Sequence, residues 1–594
     1  MDENRIIIIV PSFEPRRGGG HLTRCMKLAA DLRGRGKQAV LFISSQSDPS
    51  LFFQSLNLNP QWRITETDLQ QIVPDTVEFI IIDRFQTSQD ELLNWKKIAP
   101  VIGIDEGGGH RDKFDFLIDV LAPKNFHKPS ANITSSSLLK FPKRPLSVKL
   151  SAEKKIKILV SFGHEDPTGL GDTVAYNLSC QNKNGNLDIA LLKGVLHTSN
   201  FSLKNVRIID AIPNLAEHLG EYDIVVTHYG ITAYEALYAK TAILLVNPTE
   251  YHEKLAKAAG FFTAKNLPKI NQSFLRKLKN HCAKQAVKLE IGKENKNLAD
   301  LIDEFSPKAN RSCPVCGGEP SETSIARFPE STYRRCKKCG VIYKDRIKSL
   351  PLNYDQEYFF ENYKKQYGKT YLEDFPNLTA MAKRRLKKIK SLMPVTQNDS
   401  LLEIGCAYGP FLAAAKEKGF SPCGIEPARE AVRHVQKKLR LTVVHGAFPN
   451  TWFPVPTSQS GQYEVVTLWY VIEHFEDCLK ALSEIGKVLE TDGILAFSTP
   501  SFSGISGRSS LYKFLEKNPA DHFTIWSPKM CKKALSLAGF KVKKIVISGH
   551  HPERFRFFGI LAGSKISPFY WILFLISKIF RLGDTFEVYA VKKH

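Results

Sequence analysis

Leu401–Gly409 reads LLEIGCAYG, and the residues around it decide the fold of the carboxyl half. An apolar strand runs into a Gly-rich turn, and the turn opens a helix over Pro410–Lys418. A second apolar run, Pro422–Ile425, predicts the next parallel strand and ends on Glu426. Strand, turn, helix and strand make one βαβ unit, with an acid about twenty residues beyond the turn. Glycines in such a turn let backbone approach a ligand closely, and a carboxylate at the end of the next strand accepts hydrogen bonds from two ribose hydroxyls. A G-x-G alone recurs in many helix–strand turns. The whole unit is what points to an adenosine site.

The pattern extends on both sides. Glu403, Gly405 and Gly409 keep an E-x-G-x-x-x-G spacing. A fourth strand is read in YEVVTLWYVIEHFED (463–477), and a fifth in GKVLETDGILAFSTPS (486–501), with Gly493 in its turn. DHFTIWSPKMCKKALSLAGF follows at 521–540. On these motifs the chain resembles the class I S-adenosylmethionine-dependent methyltransferases from about residue 350 to 550. The resemblance implies S-adenosyl-L-methionine as cofactor, with Glu403, Gly405, Cys406, Gly409 and Glu426 binding it. It places Val471–His474 along the methionine and acceptor side, and the 521–540 segment as a cover over the acceptor. An oxygen or nitrogen acceptor can need a base. His474 is the candidate and His522 the second, against a packing or adenine-contacting role. The acceptor itself is not fixed.

The chain has 594 residues, 43% hydrophobic and 24% charged, the balance of a soluble globular protein. That length predicts about three to five domains. The formal net charge is +23, concentrated in lysine-rich segments such as Lys269–Lys296 and Lys383–Lys390 (KRRLKKIK). Such runs either attract anionic partners or form solvated helix faces. No basic stripe studded with aromatics is present, so no nucleic-acid partner is expected. MDENRIIIIV carries two acids, is too short for a signal peptide and reads as a buried strand. No run reaches the ~18 apolar residues of a membrane span. The nearest, ISPFYWILFLISKIF at Ile566–Phe580, contains Pro568 and Lys578. It either packs on its own domain or makes a peripheral membrane contact.

Cys313-Pro-Val-Cys316 and Cys336-Lys-Lys-Cys339 are two C-x-x-C knuckles, each followed by a glycine, Gly317 and Gly340. Four thiolates at this spacing suit one tetrahedral Zn2+, and no coordination position is left open for water, so the ion is structural. With four of eleven cysteines so arranged, metal binding in a reducing cytoplasm is favoured over disulfides. Zinc ribbons before a methyltransferase domain recur in enzymes that look like this one, many of them acting on sugars. YDQEYFFENYKKQYG (354–368) follows, either a cover for the acceptor or cofactor or a helix packing its aromatic face.

The first 305 residues alternate apolar strands with amphipathic helices, which predicts parallel sheets. Strands are expected at Ile6–Val10, Ala39–Ile43, Phe79–Asp83, Val101–Ile104, Lys157–Ser161, Ile189–Leu192, Ile224–Thr227 and Ile243–Val246. FPKRPLSVKLSAEKK (141–155) links two Rossmann-like halves, with a ligand cleft expected between them. RGGGH (17–21) follows the first strand and opens the helix Leu22–Arg33, where an anion is favoured. Ser161–Pro167 (SFGHEDP) and Thr227–Thr232 (THYGIT) offer further turns for a diphosphate, and Glu235 could take ribose hydroxyls.

These motifs resemble the GT-B nucleotide-sugar enzymes, nearest to the UDP-sugar hydrolase of pseudaminic acid biosynthesis and related spore-coat polysaccharide proteins. A G-x-G-H-x-x-R-C pattern falls on Gly18, Gly20, His21, Arg24 and Cys25. The resemblance implies His21 as catalytic base. It implies Gly18, Gly20, Arg24, Asp83, Gly163, Gly230, Thr232 and Glu235 as nucleotide-sugar-binding. Departures fall on His164, His228, Tyr229, Ile231 and Glu250–Glu253, touching the chemistry more than the fold; His164 and His228 also read as structural.

The expected architecture is α/β: a GT-B pair of Rossmann-like domains (1–146 and 147–305), a zinc ribbon (306–348) and a class I methyltransferase domain (349–594). The expected function is a bifunctional cytoplasmic enzyme of surface-glycan or nucleotide-sugar biosynthesis. One half hydrolyses or transfers a nucleotide-activated sugar, and the other methylates a sugar or glycan acceptor. Two alternatives are an amino half that only binds the nucleotide sugar, and a nucleic-acid methyltransferase.

Overall fold

The computed structural model describes residues 5–13, 19–139, 141, 155–163, 166, 168–193, 203–210, 212, 214–289, 296–349, 361, 363–393, 398–451, 454, 456, 461–555 and 567–593. Gly18, His164, most of the linker, Tyr354, Tyr358 and Ile566 lie outside them. The chain divides into two compact units. The first holds residues 1–309 with 327–332 and 346–349; the second holds 310–326, 333–345 and 350–594. The stretch expected to form a separate ribbon thus contributes residues to both.

The first unit contains two wholly parallel sheets. One comprises β1 (Ile6–Pro11), β2 (Gln38–Phe42), β3 (Arg63–Ile64), β4 (Val77–Asp83), β5 (Val101–Ile104), β6 (Phe116–Asp119) and β7 (Ile133–Thr134), in the order 3-2-1-4-5-6-7. The other comprises β8 (Ile156–Val160), β9 (Leu187–Leu192), β10 (Val206–Ile209), β11 (Ile224–Thr227) and β12 (Ala242–Leu245), in the order 10-9-8-11-12. Ile7–Val10 are buried on both faces of the sheet, which is why that strand reads as an unbroken apolar run. The strand at the outer edge of the second sheet, β10, carries exposed Arg207 and Ile208, and its pattern gave no strand signal. One continuous apolar core serves both sheets, and the helix Leu298–Asp303 joins it through Leu298 and Ile302.

The remaining sheets use β13 (Ala326–Phe328), β14 (Ser331–Arg335), β15 (Ile342–Arg346), β16 (Ser400–Ile404), β17 (Ser421–Glu426), β18 (Thr442–His445), β19 (Tyr463–Trp469), β20 (Leu489–Pro500), β21 (Thr524–Ile525), β22 (Phe540–Ser548) and β23 (Thr585–Lys592). Strands β13, β14, β15 and β21 form a small sheet in that order. The large sheet of the second unit runs 18-17-16-19-20-23-22, with β23 antiparallel to both neighbours. The expected βαβ unit is β16, the helix Pro410–Glu417 and β17. On the helix Phe375–Lys390 the lysine-rich face is not wholly solvated. Arg385 is buried with its guanidinium 4.0 Å from the Trp469 ring centroid, and it donates to Glu587 at 2.9 Å.

Candidate active sites

Strand β16 ends where the chain turns at Gly405, at φ +72°. A Cβ there would sit 2.6 Å from Val471 Cγ2, so glycine is required by both torsion and space. Gly409, at φ +79°, caps the helix Pro410–Glu417, and its added Cβ would meet Val435 and Leu439 at 2.9 Å. Glu426 closes β17 and reaches back to this turn. Its carboxylate accepts from Ala407 N at 2.8 Å and Ala428 N at 2.9 Å. Burial pushes the Glu426 carboxyl up to about 7, the two backbone donors offsetting part of that rise. Glu403 is buried beside it, raised well above the usual carboxylate range by burial. Cys406 lies buried in the same turn. The five residues expected around the cofactor are therefore brought together. Tyr371, which sequence reasoning missed, packs near Tyr408 with ring centroids 5.9 Å apart and joins the cluster of Ala407, Tyr408 and Ala428.

Several buried polar atoms along these strand ends have no hydrogen-bond partner among the described residues. They are Glu403 Oε2, Trp469 Nε1, both Glu473 carboxylate oxygens, Ser498 Oγ and Thr499 Oγ1. Buried polar atoms are normally satisfied, so the unpartnered ones at this end of the sheet, which lie on both of its faces, fit the residues to a polar cofactor such as adenosylmethionine and to its acceptor. On the acceptor side His474 Nδ1 lies 3.0 Å from Asp521 Oδ2, and the rings of His474 and His522 meet edge to face at 4.6 Å. Burial pushes the His474 imidazole down, but Asp521 and Glu473 raise it above its ordinary value. His522 falls to about 3, through burial and the neighbouring His474 charge.

The segment carrying Asp521 and His522 is anchored by the cysteine module. Strand β21 pairs with β15 at Ile342↔Ile525 and Tyr343↔Thr524, and Lys344 donates to the carbonyls of Pro519 (3.1 Å) and Ala520. The sulfurs of Cys313 and Cys339 are 3.7 Å apart, and those of Cys316 and Cys336 3.6 Å. Tetrahedral Zn–S bonds of about 2.3 Å put sulfurs about 3.8 Å apart. The knuckles repeat one geometry: Gly317 N donates to Cys313 O and Gly340 N to Cys336 O, each at 2.9 Å. The four cysteines are thus placed to hold one such ion.

In the first unit His21 stands in the first turn of the helix Gly20–Arg33, its Nδ1 2.7 Å from Asp83 Oδ1. Arg24 lies one turn on and is buried. It donates through Nε to Asp83 Oδ2 and through NH1 to Asp105 Oδ2, both at 2.7 Å. Burial alone would raise the Asp83 carboxyl, but Arg24 and His21 hold it well below the usual carboxylate range. Arg24 and Asp83, expected to touch the nucleotide sugar, are placed as the buried support of His21. Gly20 faces open space, with nothing within 4 Å of an added Cβ. Gly163 (φ +88°) and Gly230 both border His228, and Thr232 follows Gly230 in the helix Ile231–Tyr238. Glu235, in the same helix, has its carboxyl raised by burial, with Lys27 offsetting part of the rise.

Aromatic and imidazole rings join the two sets of strand ends. His21 meets Phe85 at 4.6 Å, Phe85 meets His252 at 5.6 Å, and His252 meets His228 at 6.2 Å. Burial lowers His228 to about 4, which keeps it neutral at pH 7. Tyr229 is structural: its hydroxyl is hydrogen-bonded with the Tyr234 hydroxyl at 2.8 Å and donates to the Leu121 carbonyl. Asp166 accepts from Leu170 N (3.1 Å) and Gly171 N (2.7 Å), occupying donors at the start of the helix Leu170–Gln181.

Residues 371–545 match the family model described as a methyltransferase domain. Among curated proteins, the chain is 24% identical over 276 residues to an uncharacterized protein of Methanocaldococcus jannaschii, covering 41% of this chain and 56% of that one. It is 28% identical over 134 residues to the ubiquinone biosynthesis O-methyltransferase of Bordetella avium, covering 21% and 53%. The chain therefore spans only about half the length of these relatives. Among solved structures, a SAM-dependent methyltransferase from Archaeoglobus fulgidus aligns at 16% identity and a TM-score of 0.27, over 39% of this chain and 98% of that one. One from Mesorhizobium loti aligns at 12% identity and a TM-score of 0.27, over 36% and 100%. The carboxyl-terminal part of this chain is a class I S-adenosylmethionine-dependent methyltransferase domain.

Proposed function

We propose that the protein transfers a methyl group from S-adenosylmethionine to a sugar-type acceptor, and that its amino half binds and turns over a nucleotide-activated sugar. The carrying observation is the set of unpartnered polar atoms at the ends of β16, β19 and β20, beside a turn whose glycines admit no side chain. The cofactor supplies a methyl activated by a sulfonium, so positioning provides most of the rate. Gly405, Cys406 and Gly409 would shape the donor turn. Glu403 and Glu426 would hold the adenosine side, with Glu426 accepting from ribose hydroxyls. The group around His474 and Asp521 handles the acceptor's proton. One structural Zn2+ sits on Cys313, Cys316, Cys336 and Cys339.

For the amino half we read a GT-B-like arrangement with His21 as base. The support is the Asp83–His21 pair, which fixes the imidazole tautomer as catalytic bases require, and the convergence of His21, Phe85, His252 and His228. The helix Pro568–Ile579 leaves Phe569, Trp571, Ile572 and Leu575 more than half exposed, and we read this face as a peripheral membrane contact. Flotation with anionic vesicles checks that reading, and loss of co-flotation in Trp571→Glu is expected.

The main experiment incubates the chain with labelled S-adenosylmethionine and UDP-, CMP-, GDP- and dTDP-sugars, and identifies products by mass. A methylated sugar is expected from one of them. Free sugar released without acceptor marks hydrolysis in the amino half. If adenosylhomocysteine binds and no sugar in the panel gains a methyl group, the sugar reading is withdrawn.

A further inference from the structure

At the carboxyl end of β19, three side chains offer a donor set that positioning alone does not explain. One ligand atom from each of Glu473, His474 and His522 lies within 4.8 Å of the others. Glu473 and His474 belong to the short turn Ile472–His474, and His522 comes from the segment ahead of β21. Backbone fixes the two together, with Phe523 N donating to Glu473 O at 2.7 Å. Glu473 is 1% exposed, and neither of its carboxylate oxygens has a hydrogen-bond partner among the described residues. A buried carboxylate is costly unless donors or a cation compensate it, and the Thr499 hydroxyl is a neighbour that can donate here. Behind His474 stands Asp521, 3.0 Å from Nδ1. A proton shared there leaves the imidazole lone pair on Nε2, giving the carboxylate–imidazole–metal order found at metal centres.

We propose that Glu473, His474 and His522 form a divalent transition-metal site, with Asp521 as a positioning residue; His474 then serves as a ligand in place of the proton-handling role read for it above. Two imidazoles and one carboxylate suit manganese, iron, cobalt or zinc better than calcium or magnesium, which take oxygen ligands. Bonds of about 2.0–2.2 Å set donors about 3–4 Å apart, so closure from the observed spacing is small. Three protein ligands leave positions open for substrate oxygens. An acceptor with two adjacent hydroxyls, such as a vicinal diol, fits them. That part rests on the methyl-transfer reading. The site lies next to the donor turn, since Val471, two residues before Glu473, is the side chain that abuts Gly405. Lys344, bonded to the carbonyls of Pro519 and Ala520, brings a positive charge nearby that coordination has to outweigh.

The test uses the full chain with zinc in its cysteine site and Mn2+ as probe, because manganese prefers nitrogen and oxygen donors to four thiolates. Loss of the free Mn2+ signal in electron paramagnetic resonance should show one equivalent bound. Glu473→Gln and His522→Gln should each weaken uptake at least tenfold, and Asp521→Asn about tenfold. Wild-type protein that binds no Mn2+, and no Co2+ or Zn2+ beyond the single ion of the cysteine site, overturns the proposal whatever the variants do. Wild-type affinity in both glutamine variants overturns it as well. Adenosylhomocysteine calorimetry runs in parallel: metal binding without nucleoside binding would sink the methyltransferase reading and leave the metal site standing.

Discussion

At Gly405 a single hydrogen atom separates a working donor turn from a broken one. Gly405→Ala meets a left-handed torsion and a 2.6 Å clash with Val471. The strain, about 1–2 kcal/mol, should lower the melting temperature. The shift of Val471 carries Glu473 and His474 with it, so adenosylhomocysteine affinity should fall at least tenfold by calorimetry. Glu426 makes a pH prediction. Its carboxyl sits near 7 because it is buried, against 4.5 for the exposed group. Ribose hydroxyls are best accepted by the ionised form, so adenosylhomocysteine affinity should be full above about pH 7. Below it, affinity should drop towards tenfold per unit, and Glu426→Gln should flatten the profile. For stability the sign is opposite. The folded state binds this proton more tightly, so the contribution is present below about 4.5 and lost as pH rises through about 7. Glycines and the strand-end acid were legible in the sequence because backbone geometry leaves few substitutes for them. Motif spacing singled out Arg24 and Asp83 but could not show that both are buried and bonded to each other. Tyr371 carries no motif, and Asp521 lay in the 521–540 stretch without a role of its own; only folding sets it beside His474.

At the scale of elements, most strands buried on both faces read as apolar runs, and β5 and β11 fall at the residues expected; β6, buried throughout but only four residues long and ending on Asp119, was not expected. The two-residue strands β3 and β7 and the exposed edge β10 went unseen, because no periodic signal survives in so short or so polar a segment. The sheet order 18-17-16-19-20-23-22, with its reversed β23, follows from crossovers that no single segment encodes. The β15–β21 pairing joins Ile342 to Ile525, far apart in sequence, and it predicts a division of labour. Cys336→Ser should increase amide exchange over 519–526 and raise the KM for acceptor. Adenosylhomocysteine affinity should change by less than about threefold, because the donor turn hangs on β16 and β17. Equal loss on both sides would refute this assignment.

For the whole molecule, each unit has buried apolar clusters of its own. Scanning calorimetry should therefore resolve two transitions. Adenosylhomocysteine at 100 times its Kd should stabilise one by about 2.7 kcal/mol and leave the other in place. A nucleotide diphosphate that shifts only the other transition would locate its site in the amino half. A single transition moved by both ligands would mean that the units unfold together. The +23 charge leaves ample positive surface for anionic partners, yet charge alone does not choose among them.

Two residue pairs, Ile342 with Ile525 and Tyr343 with Thr524, tie the cysteine module to the loop of Asp521 and His522. Lys344 adds bonds to the carbonyls of Pro519 and Ala520, and Cys313, Cys336 and Cys339 share an apolar core with Leu402 and Ile404 of β16. The module is therefore built into the floor of the sheet as well as into the loop, and a change in its packing reaches the acceptor loop and the strand before Gly405 by separate routes.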